Sequence, residues 1–237
     1  MFSILNNFKT ANNILLVLIN KLKKNGYHIF LHKHRLNAQY TIDKITVKTR
    51  KKTKNRLVLS AGLHGIEGFV GHAAIHTFLT EFLDILIDHT EIVIYPTINP
   101  YGMDTNQRTN MNNVDLNRNF SKNNFSLENN NYLKVKDFVE PKEFKNAVTM
   151  NSSFYYELGK LIKSHGIEDL NQAFLLGQNY QDTGIYYSGT KYEPETLYIM
   201  EEFRNFMKSK IPLIWIDLHS GYGPKDQMSI INSKHKI

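Results

Sequence analysis

The chain has 237 residues, a formal net charge of +7, no cysteine, and no run approaching the ~18 apolar residues of a membrane span. Disulfides and thiolate metal sites are excluded, so any metal must sit on His, Asp or Glu, which favours a catalytic over a structural ion. The length suits one α/β domain over 1–237 with a full core, and residues 1–7 lack the basic n-region of a secretion signal, which predicts a cytoplasmic protein.

Residues 4–24 carry apolar positions at mixed helical spacing and end in two lysines, Asn25 and Gly26, which predicts a helix with a basic last turn and a glycine stop. Residues 27–36 and 40–49 read as strands, and 57–61 as a short apolar strand of a sheet interior. From 69 to 86 the apolar positions fit one helix face, and 92–98 is another strand, stopped by a turn at Asn99-Pro-Tyr-Gly102. Strand, helix, strand in that order predicts a βαβ unit and a parallel sheet. Residues 106–131 hold 11 asparagines with little periodicity and read as loop. Helices follow at 151–163 and 195–207, and 212–218 is the last clear strand. The expected class is α/β: a mixed, largely parallel twisted sheet flanked by helices.

Much of the positive charge lies in 48–56, between two strand-like segments. It has no aromatic interleaving and no nucleic-acid motif around it, so a solvated hairpin loop is expected and no nucleic-acid partner. No membrane partner is expected either, and the oligomeric state is left open.

Two strand ends carry the chemistry. The strand at 57–61 opens into a turn with Gly62, Gly65 and Gly68 that offers His64 and Glu67, and the strand at 212–218 delivers His219 directly after it. Either feature alone would be ordinary: a His-x-x-Glu pair on a loop, or a satisfied core histidine. Together they put two histidines and one carboxylate at the carboxyl edge of a sheet, where open α/β sheets place their ligands. Such a set leaves one position of a tetrahedral Zn²⁺ open for water, which is the composition of a hydrolytic site with one zinc ion. Asp217, two positions before His219, is free by strand alternation to support that ligand from behind. His72 and His76 are four apart on the 69–86 helix, but the glutamate of a His-Glu-x-x-His motif is missing between them. His28, His32 and His34 fit no ligand frame.

His64-Gly-Ile-Glu67, Asn99-Pro-Tyr-Gly102, Arg108, the 114–120 segment Val-Asp-Leu-Asn-Arg-Asn-Phe and Asp217-Leu-His-Ser-Gly221 occur in the order found in the zinc metallocarboxypeptidase superfamily. The chain resembles that superfamily, which includes the aspartoacylase and succinylglutamate desuccinylase deacylases, over roughly residues 57–224. Gly177-Gln178 and 184–189 further resemble a bacterial branch of unknown function. The resemblance implies a carboxypeptidase-like fold, with His64, Glu67 and His219 as zinc ligands. It implies that Arg108 stabilises the oxyanion and that Asn117 and Arg118 hold a substrate carboxylate, a task suited to a planar guanidinium. The implied reaction is hydrolysis of an amide bond beside a carboxylate, in a peptide or an N-acyl amino acid.

The resemblance also implies a glutamate general base well beyond the third ligand. The last glutamate here is Glu202, and the chain ends 18 residues after His219. The expectation is therefore a C-terminally truncated chain that lacks the last part of the fold and its base, and whether it can turn over is left open. An N-acyl amino acid deacylase and a catalytically dead metal- or ligand-binding remnant stand as the alternatives.

Overall fold

A computed structural model describes residues 7–120, 129–140, 147–221, 223 and 227–231, with side chains left out of account at 147–152. The chain divides into two units, Met1–Asn106 with Ile211–Ile237, and Gln107–Lys210.

In the first unit, α1 (Phe8–Lys24) starts where the Asn7 side chain accepts the Thr10 N–H at 3.0 Å. Such a cap satisfies one of the orphan donors of a helix start, and Lys21, Lys23 and Lys24 complement the carbonyl end. Strands β1 (Ile29–Arg35) and β2 (Thr41–Val47) form an antiparallel hairpin. Its turn is closed by Asn37 Oδ1, which accepts the N–H groups of Gln39 and Tyr40. β3 (Asn55–Ala61) leads through a helical run into β4 (Thr90–Tyr95), the expected βαβ unit, and β5 (Leu213–Leu218) follows much later in the chain. The sheet order is β1-β2-β4-β3-β5. β2 pairs antiparallel with β4, whereas β3 pairs parallel with both β4 and β5. The sheet is mixed, its parallel part being the three strands nearest the candidate site.

The helical run between β3 and β4 is not uniform. It is α2 (Gly68–Thr77), five π-helical residues (Phe78–Phe82) and α3 (Leu83–Leu86). Ile75, Leu79, Leu83 and Ile87 are all buried, and they are spaced by four. In an α-helix positions four apart drift by about 40° per step; the wider π turn offsets that drift and keeps the four on the core side. They join Leu15, Ile19, Ile45, Leu59, Ile92 and Ile94 in one apolar cluster.

Asn99-Pro-Tyr-Gly102, expected as a turn, instead begins a short helix, α4 (Pro100–Asp104). Asn99 accepts the Gly102 N–H at 2.9 Å, and Pro100 occupies the first helical position, where its missing N–H costs nothing. The basic segment is not the expected hairpin loop, because β4 lies between β2 and β3, and three carboxylates offset half of its six positive charges. Lys48 and Arg56 pair with Glu91, Arg50 with Asp84, and Lys51 with Asp88.

The second unit holds α5 (Leu116–Asn119), α6 (Asn130–Val139), α7 (Ala147–Leu176) and α8 (Pro194–Lys208). α7 is broken at Gly166, whose φ of 81° lies in the left-handed region. Val135, Leu170 and Ala173 form its small core between α6 and α7. The asparagine-rich stretch expected as loop carries α5 and the start of α6, with 121–128 outside the described residues. Its asparagines act as structural fasteners. Asn110 Oδ1 accepts the N–H groups of Asn112 and Val114, and Asn119 Nδ2 donates to the carbonyls of Ser188 and Lys191. Asn129 caps α6 and donates to the Ala173 and Gly177 carbonyls. No helix of the described residues is long and apolar enough to cross a membrane.

Candidate metal centre

β3 ends at Ala61, and the chain turns at Gly62, whose φ is 63°. Ile98 and Asn99 donate to the Ala61 and Gly62 carbonyls at 3.0 and 2.8 Å, which fixes the exit of the turn. One 3₁₀ turn, Gly65–Glu67, follows with His64 as its cap. Three residues complete a turn of that helix, so positions three apart eclipse, and this is why His64 and Glu67 face the same point. The turn lies directly on α4: a Cβ on Gly65 would fall 2.1 Å from the Gly102 carbonyl carbon. Only glycine allows that approach.

β5 brings His219 to the same place, one residue beyond its own end. His64 Nδ1 lies 3.1 Å from Glu67 Oε1, and His219 Nδ1 lies 3.0 Å from Glu67 Oε2. The Ser220 N–H donates to Oε2 as well, at 3.1 Å. The imidazole centroids are 4.9 Å apart. Behind His219, Nε2 lies 2.8 Å from Asp217 Oδ2. Burial favours the neutral form of Glu67, but hydrogen bonds from His219, His64 and the Ser220 N–H outweigh it and hold the carboxyl far below its usual range. Asp217 first, and then Glu67, push the His219 pKa up to about 10. His64 is buried and the Glu67 side chain is 10% exposed, while His219 is 30% exposed, so the cluster opens to solvent on the His219 side.

This donor set fits a divalent ion. One ligand atom from each of His64, Glu67 and His219 can be chosen so that all lie within 4.8 Å of one another, the one such group of three among the described residues. A tetrahedral ion with bonds of ~2.0–2.1 Å spaces its ligand atoms by roughly 3.3 Å, close to the two His–Glu separations here. The two carboxylate oxygens each face a different imidazole, so a cation in place of the shared protons would draw together three ligands that now lie within 4.8 Å of one another. His72, one of five histidines that the sequence set aside, is not part of this cluster. It is buried with Nε2 at 2.8 Å from Thr97 Oγ1, and burial lowers its pKa to about 4.

The three remaining candidates lie in the second unit. Asp115 is fully buried, caps α5 by accepting the Asn117 N–H at 3.0 Å, and receives Arg108 Nε at 2.9 Å. Arg108 also lies over the Tyr186 ring, 5.8 Å from its centroid. Arg118 runs past Gly177, where a Cβ would meet its Cγ at 3.0 Å, and donates to the Phe174 carbonyl at 3.3 Å. Burial lowers the Arg118 pKa, Arg108 adds to that, and Asp115 and Tyr186 oppose it. The Asn117 side chain is exposed. A hollow of about 410 Å³ is lined by Gln107, Arg108, Thr109, Asn113, Ile185 and Tyr186. Sequence reasoning passed over Asp115 and Tyr186. The first was legible as an Asp cap before Leu-Asn-Arg; the second, held at φ 57°, lies in the 184–189 segment, which carried a resemblance but no role.

A family described as "Protein of unknown function (DUF2817)" matches residues 19–236. No curated protein matches the sequence. Among solved structures, bovine thrombin-activatable fibrinolysis inhibitor in complex with tick carboxypeptidase inhibitor overlays with a TM-score of 0.54 at 16% identity. That overlay covers 90% of this chain and 60% of the other. A metallo-carboxypeptidase from Pseudomonas aeruginosa gives 0.43 at 14%, covering 86% and 38%. An aspartoacylase family protein from Mesorhizobium loti gives 0.32 at 19%, covering 40% and 30%. The first overlay shows the carboxypeptidase-like fold, and identity this low carries nothing finer. The chain spans less than two thirds of the length of each of these three structures.

Proposed function

We propose, for a chain that belongs to the DUF2817 family of proteins of unknown function, a metal-dependent hydrolase acting on an amide bond beside a carboxylate. The observation that carries this reading is the convergence of His64 Nδ1, His219 Nδ1 and both Glu67 oxygens within hydrogen-bonding distance at one sheet edge. Zinc is the expected ion, since two imidazoles and a carboxylate suit it and no thiolate competes. Bound there, it would supply Lewis-acid polarisation of a carbonyl and acidify water.

The chain's own residues supply the rest of the reading. His64, Glu67 and His219 hold the ion, and Asp217 holds the far side of His219. Arg108, fixed through Asp115, offers a permanent cation for a developing oxyanion. Arg118 and Asn117 share α5 and present a guanidinium and a carboxamide suited to a substrate carboxylate. The substrate is then a peptide or an N-acyl amino acid with a free carboxylate. The second reading is binding of a metal and a carboxylate ligand without turnover.

Elemental analysis of the purified chain, with hydrolysis of a peptide and an acyl-amino-acid panel on the same sample, tests both. Near-stoichiometric zinc that is lost in His64→Ala supports the metal site. Turnover then supports the hydrolase, with the preferred panel separating peptidase from deacylase. Zinc without turnover leaves the binding reading, and no zinc overturns both. Arg118→Ala is expected to keep its zinc and to weaken a carboxylate inhibitor about tenfold or more; unchanged inhibitor affinity would sink that assignment.

A further inference from the structure

We propose that Ser60 and Trp215 are positioning residues that lock Asp217 onto His219 and thereby fix which imidazole nitrogen faces the metal. The proposal rests on the metal reading above. It starts from strand register. In the parallel pairing of β3 with β5, Ser60 stands opposite Asp217 and Val58 opposite Trp215. Side chains two apart on a strand share a face, so Trp215, Asp217 and Ser60 meet on one side of the sheet. There Trp215 Nε1 donates to Ser60 Oγ at 2.8 Å, and Ser60 Oγ donates to Asp217 Oδ1 at 2.6 Å. Asp217 Oδ2 completes the row at 2.8 Å from His219 Nε2.

The direction of every bond in this row follows from its first member. An indole N–H can only donate, so the Ser60 oxygen must accept from it. The Ser60 hydroxyl proton is then free for Asp217, whose carboxylate can only accept. The second Asp217 oxygen in turn calls for a donor, so the His219 proton sits on Nε2. In the neutral ring the lone pair is left on Nδ1, the atom that faces Glu67. The anchor is well placed to hold that choice. Ser60 is 1% exposed, and Trp215 stacks on Tyr95 at 5.7 Å with the rings 7° from parallel. The Asp217 and His219 side chains, about 30% exposed, would hold each other only loosely in water without it.

The test is zinc affinity of the 237-residue chain, measured by competition with a chromogenic chelator. Ser60→Ala is expected to bind zinc up to about 10-fold more weakly, the low end of the range for losing a group bonded directly to a metal ligand, because Ser60 acts through Asp217. Ser60→Thr, which keeps the hydroxyl, should restore most of the loss. Trp215→Phe, which keeps the ring and loses the donor, should weaken binding severalfold. Trp215 is the only tryptophan, so zinc should change the emission of the wild type and leave that of Ser60→Ala nearly unmoved at saturation. A cooperatively melting Ser60→Ala with wild-type affinity, or a Ser60→Thr as weak as Ser60→Ala, overturns the proposal. If Ser60→Ala does not fold, Trp215→Phe decides, and wild-type affinity there overturns it. A wild type that takes no zinc overturns instead the metal reading on which the proposal stands.

Discussion

The two sets of candidate residues are held by different means. The His64–Glu67–His219 cluster hangs from the ends of two adjacent parallel strands, and a glycine turn pressed on α4 sets its angles. Among the described residues, the arginine region of the second unit has no strand ladder beneath it. Arg108 is fixed by Asp115, α5 is four residues long, and the surrounding loops are tied by asparagine side chains bonded to backbone. In the first region main-chain geometry dictates where side chains go. In the second, side chains dictate where the main chain goes.

If that contrast holds, backbone substitutions should be most damaging in the first region. Gly65→Ala forces a Cβ to 2.1 Å from the main chain of α4, and the largest effect is expected there, about 3 kcal/mol or more in a denaturation midpoint together with loss of metal. Next comes acid. His72 is buried against Thr97, with a folded pKa pushed down to about 4 from an ordinary value near 6.5. Between those values the unfolded chain binds the proton and the folded chain does not, so stability is full above pH 6.5 and falls as pH drops toward 4. The loss is up to about 3 kcal/mol, and His72→Gln should flatten the profile. In the second region the sensitive position is a side chain: Asp115→Ala removes a cap and the Arg108 partner at once. It should cost about 2 kcal/mol and loosen Arg108, while zinc content stays unchanged. The smallest effect is expected at Arg50→Ala, an exposed pair with Asp84 that solvent screens, so the denaturation midpoint should stay at the wild-type value. A drop at Arg50 comparable to that at Gly65 would erase the contrast.

The same contrast explains what could be read from the sequence. Apolar runs ending in histidine announced β3 and β5, and the three-residue spacing of His64 and Glu67 suited the 3₁₀ turn that carries them. Trp215, Asp217 and His219 stand two apart, so strand alternation contained the row that Ser60 completes; the serine itself comes from another strand and only register reveals it. The asparagine-rich stretch gave no such handle. Asn110 donates to the Glu193 carboxylate, and Asn119 and Asn129 to the Ser188 and Gly177 carbonyls, all far along the chain, and such bonds leave no periodicity to detect. Asn99-Pro looked like a turn because the same pair that ends a strand also starts a helix. The π-helical residues at 78–82 were hidden because the apolar positions fit an α-helical face almost as well.

Among the described residues, β5 is an outer strand of the sheet, laddered to β3 alone, and Ile214 and Ile216 are exposed along it. The segment that supplies the third donor is thus fastened along one side, while the segment that supplies the other two runs through the sheet's interior. An ion gripped by both would tie an outer strand to an interior one. Amide protons of β5 should then exchange with solvent more slowly when zinc is present, with those of β4 little changed. Metal occupancy and the closure of this strand would be two readings of one equilibrium.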